Sequence, residues 1–348
     1  MEKVKPGECL QEDVNTQSGN ILFYKGKVIT ARDIEILKAF FIKMVTVGED
    51  NPANASPTAE NPENDAAPLP TTFLIDYEKM IHLMKKVFSL ASSGNALPIL
   101  DVRMQLEKLL EKINLDIILF FHPRGTKQDD YLFHKSIRVA MTSYLLAKWT
   151  GMQTKDWMPV ALGGLLHDIG NAKVDFAVIE KKGKLDVNEF DEMKKHTIIG
   201  YHILKNVAAV NEGVKLCALQ HHEKEDGSGY PLGLQSEKIH PYAKIIAISD
   251  IFHAMTSDNF YHQAVSPYLA LEQMVKESFG KLNPAVVQTF LNKIADFHQG
   301  TVVQLNDKRT GQIIFTDKSN PTRPMINSNG EIINLVLHRN LYIEKIIK

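Results

Sequence analysis

Residues 221–231 read HHEKEDGSGYP: two adjacent imidazoles, carboxylates behind them, then a glycine-rich turn closed by Tyr230 and Pro231. Upstream, His134 follows Asp130 by four residues, a spacing that puts both on one helix face if the helix already covers Asp130. His167 and Asp168 close the apolar stretch VALGGLLHDIG, with Gly170 as its expected stop, and His196 stands in MKKHTIIGYHIL. Downstream, Asp250 interrupts AKIIAISDIFHAM, where an unpaired carboxylate among apolar neighbours is costly. Taken singly, each has an ordinary explanation: a histidine at a helix end caps carbonyls, and a buried aspartate pairs with an arginine. The set is harder to explain that way, because a chain with 13 histidines places these at apolar-helix positions that can converge inward.

The adjacency of the pairs bears on the chemistry. Neighbours on a helix point about 100° apart, so His221 and His222 are expected to serve different ions, and likewise His167 and Asp168. Two metal ions bridged by a carboxylate such as Asp168 satisfy both pairs. A mixed imidazole and carboxylate set suits iron or manganese and is also compatible with zinc or nickel. Two such ions, about 3.5–4 Å apart, share a hydroxide and clamp the attacking and leaving oxygens of a phosphoester.

Such a site needs helices to carry it. From 71 to 298 apolar residues recur at three- and four-residue spacing, as in YEKMIHLMKKVFSLA, VRMQLEKLLEKI, SIRVAMTSYLLAKW and YLALEQMVKESF. His196 lies on a helix expected to start at Asp186, with Glu189 completing a capping box. Residues 51–70, NPANASPTAENPENDAAPLP, read as a flexible linker. Before it, residues 1–50 form a small α+β unit: ILFYKGKVIT gives two short strands around Lys25-Gly26, and a helix follows with Thr30 as N-cap and Asp33 three residues on. After the helical domain, 71–299, residues 300–348 alternate and turn, which predicts a small β-rich unit.

Composition narrows the function. A formal net charge of −1 argues against a broad DNA- or RNA-binding surface. Two cysteines, Cys9 and Cys217, form no disulfide framework or CxxC pair, so a reducing cytoplasm is expected. MEKVKPGECL carries no apolar run that would make it a signal peptide, and no stretch has the length of a membrane span.

With these residues in view, the central domain resembles the HD-GYP family, a branch of the HD phosphohydrolase superfamily. The likeness runs from about 130 to 275 through HKSIRVA, LLHDIG, KKGKLDVNEFDEMKKHTIIGYHIL, HHEKEDGSGYPLGL and IIAISDIFHAMTSD. HDIG alone is a weak motif; HHExxDGxGYP at this distance behind it is highly specific. The resemblance implies a mainly α fold, an HD-type helical bundle, that hydrolyses cyclic di-GMP to linear pGpG and in some members on to GMP. It implies metal ligands at His134, His167, Asp168, His196, His221, His222 and Asp250. Some members hold a third ion through a carboxylate at the position of Asp130, where glutamate is more usual. The turn formed by Asp226, Gly227, Gly229, Tyr230 and Pro231 would shape a loop beside the cluster, and in the family this loop is linked to protein partners.

Three departures from the family pattern bear on substrate. Asn171 stands where a lysine near the scissile phosphate is usual, and Lys173 is the nearby residue that would replace its charge. Asn259 and His262 occupy positions where the family places cations for the ligand phosphates. His253, three residues after Asp250, reads as a packed histidine in preference to a support for the ligands. The leading expectation is a metal-dependent cyclic di-GMP phosphodiesterase that works through a metal-bridging hydroxide, with two or three divalent ions; the thinned cations are the feature that would reduce its activity. The alternatives are a signalling module that binds a nucleotide or partner without turnover, and a phosphohydrolase for another cyclic nucleotide.

Overall fold

The computed structural model describes the chain except residues 1–3, 13, 16–20, 24, 26, 31–32, 35–36, 38–41, 43, 49–70, 122–129, 180, 182, 258–263, 278, 298–299, 318 and 348. The linker expected at 51–70 therefore lies outside the described residues. The chain divides into two compact units, Met1–Glu63 and Asn64–Lys348.

In the first unit, β1 (Cys9–Leu10) pairs antiparallel with β4 (Val47–Gly48), and β2 (Val14–Asn15) pairs with β3 (Ile21–Phe23). The segment ILFYKGKVIT thus supplies one strand and one bridge residue, Val28, which pairs with Cys9. Both find their partners upstream rather than across Lys25-Gly26. Leu10, Val14, Phe23, Ile29 and Leu37 form the small core. Thr30 and Asp33 exchange the expected cap bonds: the Thr30 N–H and hydroxyl donate to the Asp33 carboxylate at 2.9 and 2.8 Å, and the Asp33 N–H donates to Thr30 Oγ1 at 3.2 Å. Most of the helix expected after Thr30 lies outside the described residues.

The second unit is mainly helical. Its helices are α1 (Thr71–Ser92), α2 (Ile99–Leu110), α3 (Leu115–Phe120), α4 (Tyr131–Trp149), α5 (Thr154–Leu166), α6 (Phe176–Ile179), α7 (Val187–Lys205), α8 (Glu212–Gln220), α9 (Pro241–Met255), α10 (Pro267–Glu277) and α11 (Pro284–Phe297). Helix α5 is buried without interruption from Val160 to Leu166, so that stretch has no polar face and sits inside the bundle against α4 and α8. Helix α9 is buried almost throughout for the same reason and packs on α4, α5 and α8. These four helices form the frame on which the charged residues sit.

The chain ends in a five-stranded antiparallel sheet of order β8-β7-β6-β5-β9. Its strands are β5 (Val302–Leu305), β6 (Thr310–Phe315), β7 (Met325–Ser328), β8 (Glu331–Asn334) and β9 (Ile343–Ile346). Asn329 and Gly330, both at positive φ (53° and 93°), close the β7–β8 hairpin, the dipeptide such a two-residue turn favours. One face buries Val303, Leu305, Ile313, Ile326 and Ile343 against Tyr268 of α10. Among the described residues no helix is long and apolar enough to cross a membrane.

Candidate metal centre

Helix α5 ends at Leu166, leaving His167 as its C-cap and Asp168 ahead of a 3-10 turn, Ile169–Lys173. Gly170 belongs to that turn and does not stop the helix. It is glycine because a Cβ there would stand 1.8 Å from the His196 carbonyl oxygen and 2.7 Å from Gly200 N. That close approach presses the 3-10 turn onto α7 and brings Asp168 to His196. Helix α7 starts as the sequence indicates: Asp186 accepts from Glu189 N at 2.9 Å, and Glu189 accepts from Asp186 N at 2.7 Å.

Neither adjacent pair lies inside a helix, so the divergence expected of helical neighbours does not hold for His167 and Asp168 or for His221 and His222. Helix α8 ends at Gln220; His221 is its C-cap and His222 lies in the following turn. The break lets both imidazoles reach one place: Asp168, His196, His221 and His222 each offer a ligand atom, all within 4.8 Å of one another. His167, Asp168 and Asp250 form a second such group. Asp168 belongs to both and is split between them. Its Oδ1 is 3.4 Å from His196 Nε2 and 3.6 Å from His221 Nε2, while its Oδ2 is 3.1 Å from His167 Nε2.

Three of the imidazoles are fixed in the same way. Nδ1–H of His167 donates to the Gly164 carbonyl at 2.7 Å, that of His196 to Met193 at 2.6 Å, and that of His221 to Cys217 at 2.9 Å. A carbonyl only accepts, so Nδ1 carries a proton in each ring and Nε2 is the atom turned to the cluster, with a lone pair free for a metal in the neutral ring. His196 Nε2 and His221 Nε2 then face each other across 3.2 Å, an arrangement that is repulsive without a cation between them. His167 Nε2 is buried with no hydrogen-bond partner of good geometry. Atoms 3.2–3.6 Å apart also match ligands around one ion at bond lengths of about 2.1 Å. The residues therefore fit a divalent metal.

Without an ion the cluster is strongly perturbed. Burial opposes charge on His167, yet Asp168 and Asp250 beside it raise its pKa to about 9. Burial lowers His196 to about 4 against the pull of Asp168, and burial with the neighbouring His221 and His196 holds His222 well below its ordinary value. Burial disfavours charge on Asp168 and Asp250 too, but His167 and Lys135 overcome it and keep both carboxyls well below the usual range.

His134 stands outside both groups. Its Nδ1 is 2.9 Å from the Tyr77 hydroxyl, its ring stacks on Tyr77, and burial lowers its pKa to about 4. Asp130 is the N-cap residue ahead of α4, and both its carboxylate oxygens are taken by Lys85 of α1, at 2.7 and 2.9 Å. The residue beside His134 does enter the cluster: Lys135 Nζ lies 2.7 Å from Asp168 Oδ2 and 2.8 Å from Asp250 Oδ1. Sequence reasoning missed it because a lysine near the start of a helix reads as a solvated charge. The available signal was that Asp168 and Asp250 needed a counterion.

The GYP turn is held by a second residue that the motif reading passed over. Glu223 is 3% exposed, and its two carboxylate oxygens accept from Leu232 N at 2.7 Å and Leu234 N at 2.8 Å. Gly229 lies so close to this segment that a Cβ would stand 2.5 Å from Glu223 Cα and His222 O, and Gly227 takes φ +79°. Asp226 accepts from Ser228 N at 2.9 Å and from its hydroxyl at 2.6 Å. The Tyr230–Pro231 peptide is cis, and the Tyr230 ring stacks on His222 with centroids 4.7 Å apart. The turn therefore walls the cluster.

Asn171 is buried in the 3-10 turn, its Oδ1 without a partner among the described residues, and Lys173 is exposed. His253 is a packed histidine: fully buried, with Nε2 2.6 Å from Thr142 Oγ1 and its ring edge-on to Phe252. Asn259 and His262 lie outside the described residues.

Residues 122–286 match a family model described as HD domain. A cyclic di-GMP phosphodiesterase of Pseudomonas aeruginosa is 31% identical over 186 residues, which is 53% of this chain and 45% of that protein. The 3'3'-cGAMP-specific phosphodiesterase 1 of Vibrio cholerae is 31% identical over 178 residues, 51% of this chain and 41% of that protein. The chain thus spans about half the length of these curated relatives. A solved structure, an HDG"Y"P protein from Bdellovibrio bacteriovorus, shares the fold at 15% identity with a TM-score of 0.50, covering 82% of this chain and 94% of that one.

Proposed function

We propose that the protein is a metal-dependent phosphodiesterase, because residues 122–286 match a family model described as HD domain and a GYP turn stacks on the histidine–aspartate cluster. Its substrate on this reading is cyclic di-GMP, opened to linear pGpG and hydrolysed in part to GMP. One observation carries the reading: His196 and His221 present opposed lone pairs, 3.2 Å apart, to a carboxylate that also serves a second ligand group.

Divalent ions bound there, iron or manganese by the donor set, would lower the pKa of water and offset charge on a phosphodiester. The chain's own residues do the rest. Asp168, His196, His221 and His222 would hold one ion, and His167, Asp168 and Asp250 a second. The main-chain carbonyls behind His167, His196 and His221 hold a proton on Nδ1 and aim the Nε2 atoms inward as the metal-binding atoms. Glu223 fixes the GYP turn, so that Tyr230 covers His222 and keeps bulk water from that side. Asn171 is assigned a non-bridging phosphate oxygen, to which its amide N–H would donate without adding charge. Asp130 is assigned no ion, since Lys85 holds both its oxygens.

The test is turnover of cyclic di-GMP by protein purified anaerobically and loaded with iron or manganese, with metal content determined on the same sample. Linear pGpG is expected, and its loss in His221→Ala together with the metal. A fully metallated protein that gives no product from cyclic di-GMP would overturn the substrate assignment. The mixed nucleotide 3'3'-cGAMP is the second substrate to assay, because a relative of equal identity carries that name. Binding of either nucleotide without product would point to a signalling module instead.

A further inference from the structure

The two ligand groups do not start from the same charge state. The first holds three imidazoles and Asp168 Oδ1, an oxygen with which no lysine or arginine pairs among the described residues. The second already contains one. Lys135 Nζ touches Asp168 Oδ2 and Asp250 Oδ1, and these are the two oxygens that His167 Nε2 faces at 3.1 and 3.3 Å. The three side chains are 11%, 4% and 8% exposed, so this is a buried ammonium between two buried carboxylates, not a surface pair. His134, adjacent to Lys135 on α4, turns its Nδ1 to Tyr77 and stays out of the group.

From this geometry we infer that Lys135 is the resident cation of the Asp168–Asp250 pair and that a second metal ion binds only by displacing it. The inference rests on the reading of the cluster as a metal centre and deepens it by fixing the order of loading. The first ion enters between His196, His221, His222 and Asp168, where it relieves facing lone pairs and displaces nothing. The second must break two charge-assisted contacts and move an ammonium off its carboxylates. Its affinity is therefore lower than the first, and Lys135 sets the gap. A lysine suits the role because its four-carbon stem lets the charge withdraw without moving α4.

The experiment is a titration of metal-free protein with Mn(II) alone, reading free aqueous Mn(II) by electron paramagnetic resonance, with no substrate present. The wild type is expected to bind one ion tightly and a second at least about tenfold more weakly. Lys135→Met should tighten the second site about tenfold and leave the first within a factor of two or so. Lys135→Arg, which keeps the charge, should preserve the wild-type gap. Two ions bound equally well by the wild type, or a Lys135→Met second site no tighter than wild type, would overturn the inference. Should Lys135→Met not survive metal removal, reductive methylation of the wild type mapped by mass spectrometry decides. Lys135 should become reactive as the second equivalent binds, and unchanged protection with two ions bound would overturn the displacement. A protein that binds no Mn(II) at all would remove the metal-centre reading itself, a result distinct from two equal sites.

Discussion

Asp168 and Asp250 are both buried acids in the cluster, yet their loss should differ in kind. Asp168 gives one oxygen to each ligand group, whereas Asp250 serves only the second. Asp168→Asn should therefore lower affinity at both sites by about 10–100-fold, and Asp250→Asn at one. Metal content after gel filtration checks this: near zero for the first and about one ion per chain for the second. The histidines make a separate prediction for the metal-free protein. Burial lowers His134 and His196 to about 4, so between pH 6.5 and 4 they bind protons when unfolded but not when folded. Their contribution is complete above 6.5 and is lost as the pH falls towards 4. For His167, burial works against protonation but Asp168 outweighs it and raises the pKa to about 9, so its contribution is complete below 6.5 and fades as the pH rises to 9. Urea midpoints of the metal-free protein should peak near pH 6.5 and drop at pH 5 and pH 8.5. A midpoint that climbs steadily across that range would contradict these assignments.

The 3-10 turn and the GYP turn are where short elements do the positioning. Gly170→Ala would drive a methyl to 1.8 Å from the His196 carbonyl, a contact that backbone on both sides must open to relieve. Overpacking of this kind costs roughly 1–3 kcal/mol, and here it pushes Asp168 away from His196 as well. The variant should lose stability and bind the first Mn(II) more weakly; unchanged binding would show that the approach is not what aligns the ligands. The helices were legible in the sequence because their apolar period and caps are local: Asp186 with Glu189, and Thr30 with Asp33, both form as read. The ligand residues were legible by type. What could not be read was where the helices stop. Reading 221–222 and 167–168 as helical made the pairs diverge, while the chain ends α8 at Gln220 and α5 at Leu166 and lets them converge. Lys135 was hidden for a related reason: its partners lie on other elements, and no local pattern marks it. Glu223 stands in the motif itself, but its role depends on backbone N–H groups 9 and 11 residues on.

The β-rich end of the chain belongs with the helical bundle in one unit, Asn64–Lys348. Tyr268 of α10 is 3% exposed in the sheet's core, and the Ser266 hydroxyl donates to the Ile343 carbonyl at 2.7 Å. Arg323 ties the two parts, donating to the Leu341 carbonyl at 2.6 Å and pairing with Glu272 of α10. Both charged side chains are under one-fifth exposed, so Arg323→Met should cost about 1–3 kcal/mol by urea unfolding. Glu272→Gln in the same background should recover part of it, and additive losses would mean that the pair is not coupled.

The carbonyls that orient His167, His196 and His221 all come from the main chain one turn earlier in the histidine's own helix. A carboxylate in that role would be a side chain that mutation can remove. A peptide carbonyl is supplied by whatever residue stands there. Gly164, Met193 and Cys217 have nothing in common as side chains, and the histidines need nothing from them beyond helical backbone. Proton placement in this site is thus set by backbone and not by side-chain identity: packing constrains position 164, where a Cβ would stand 3.0 Å from Ala140 Cα, and the buried position 217, but the imidazoles ask for neither side chain.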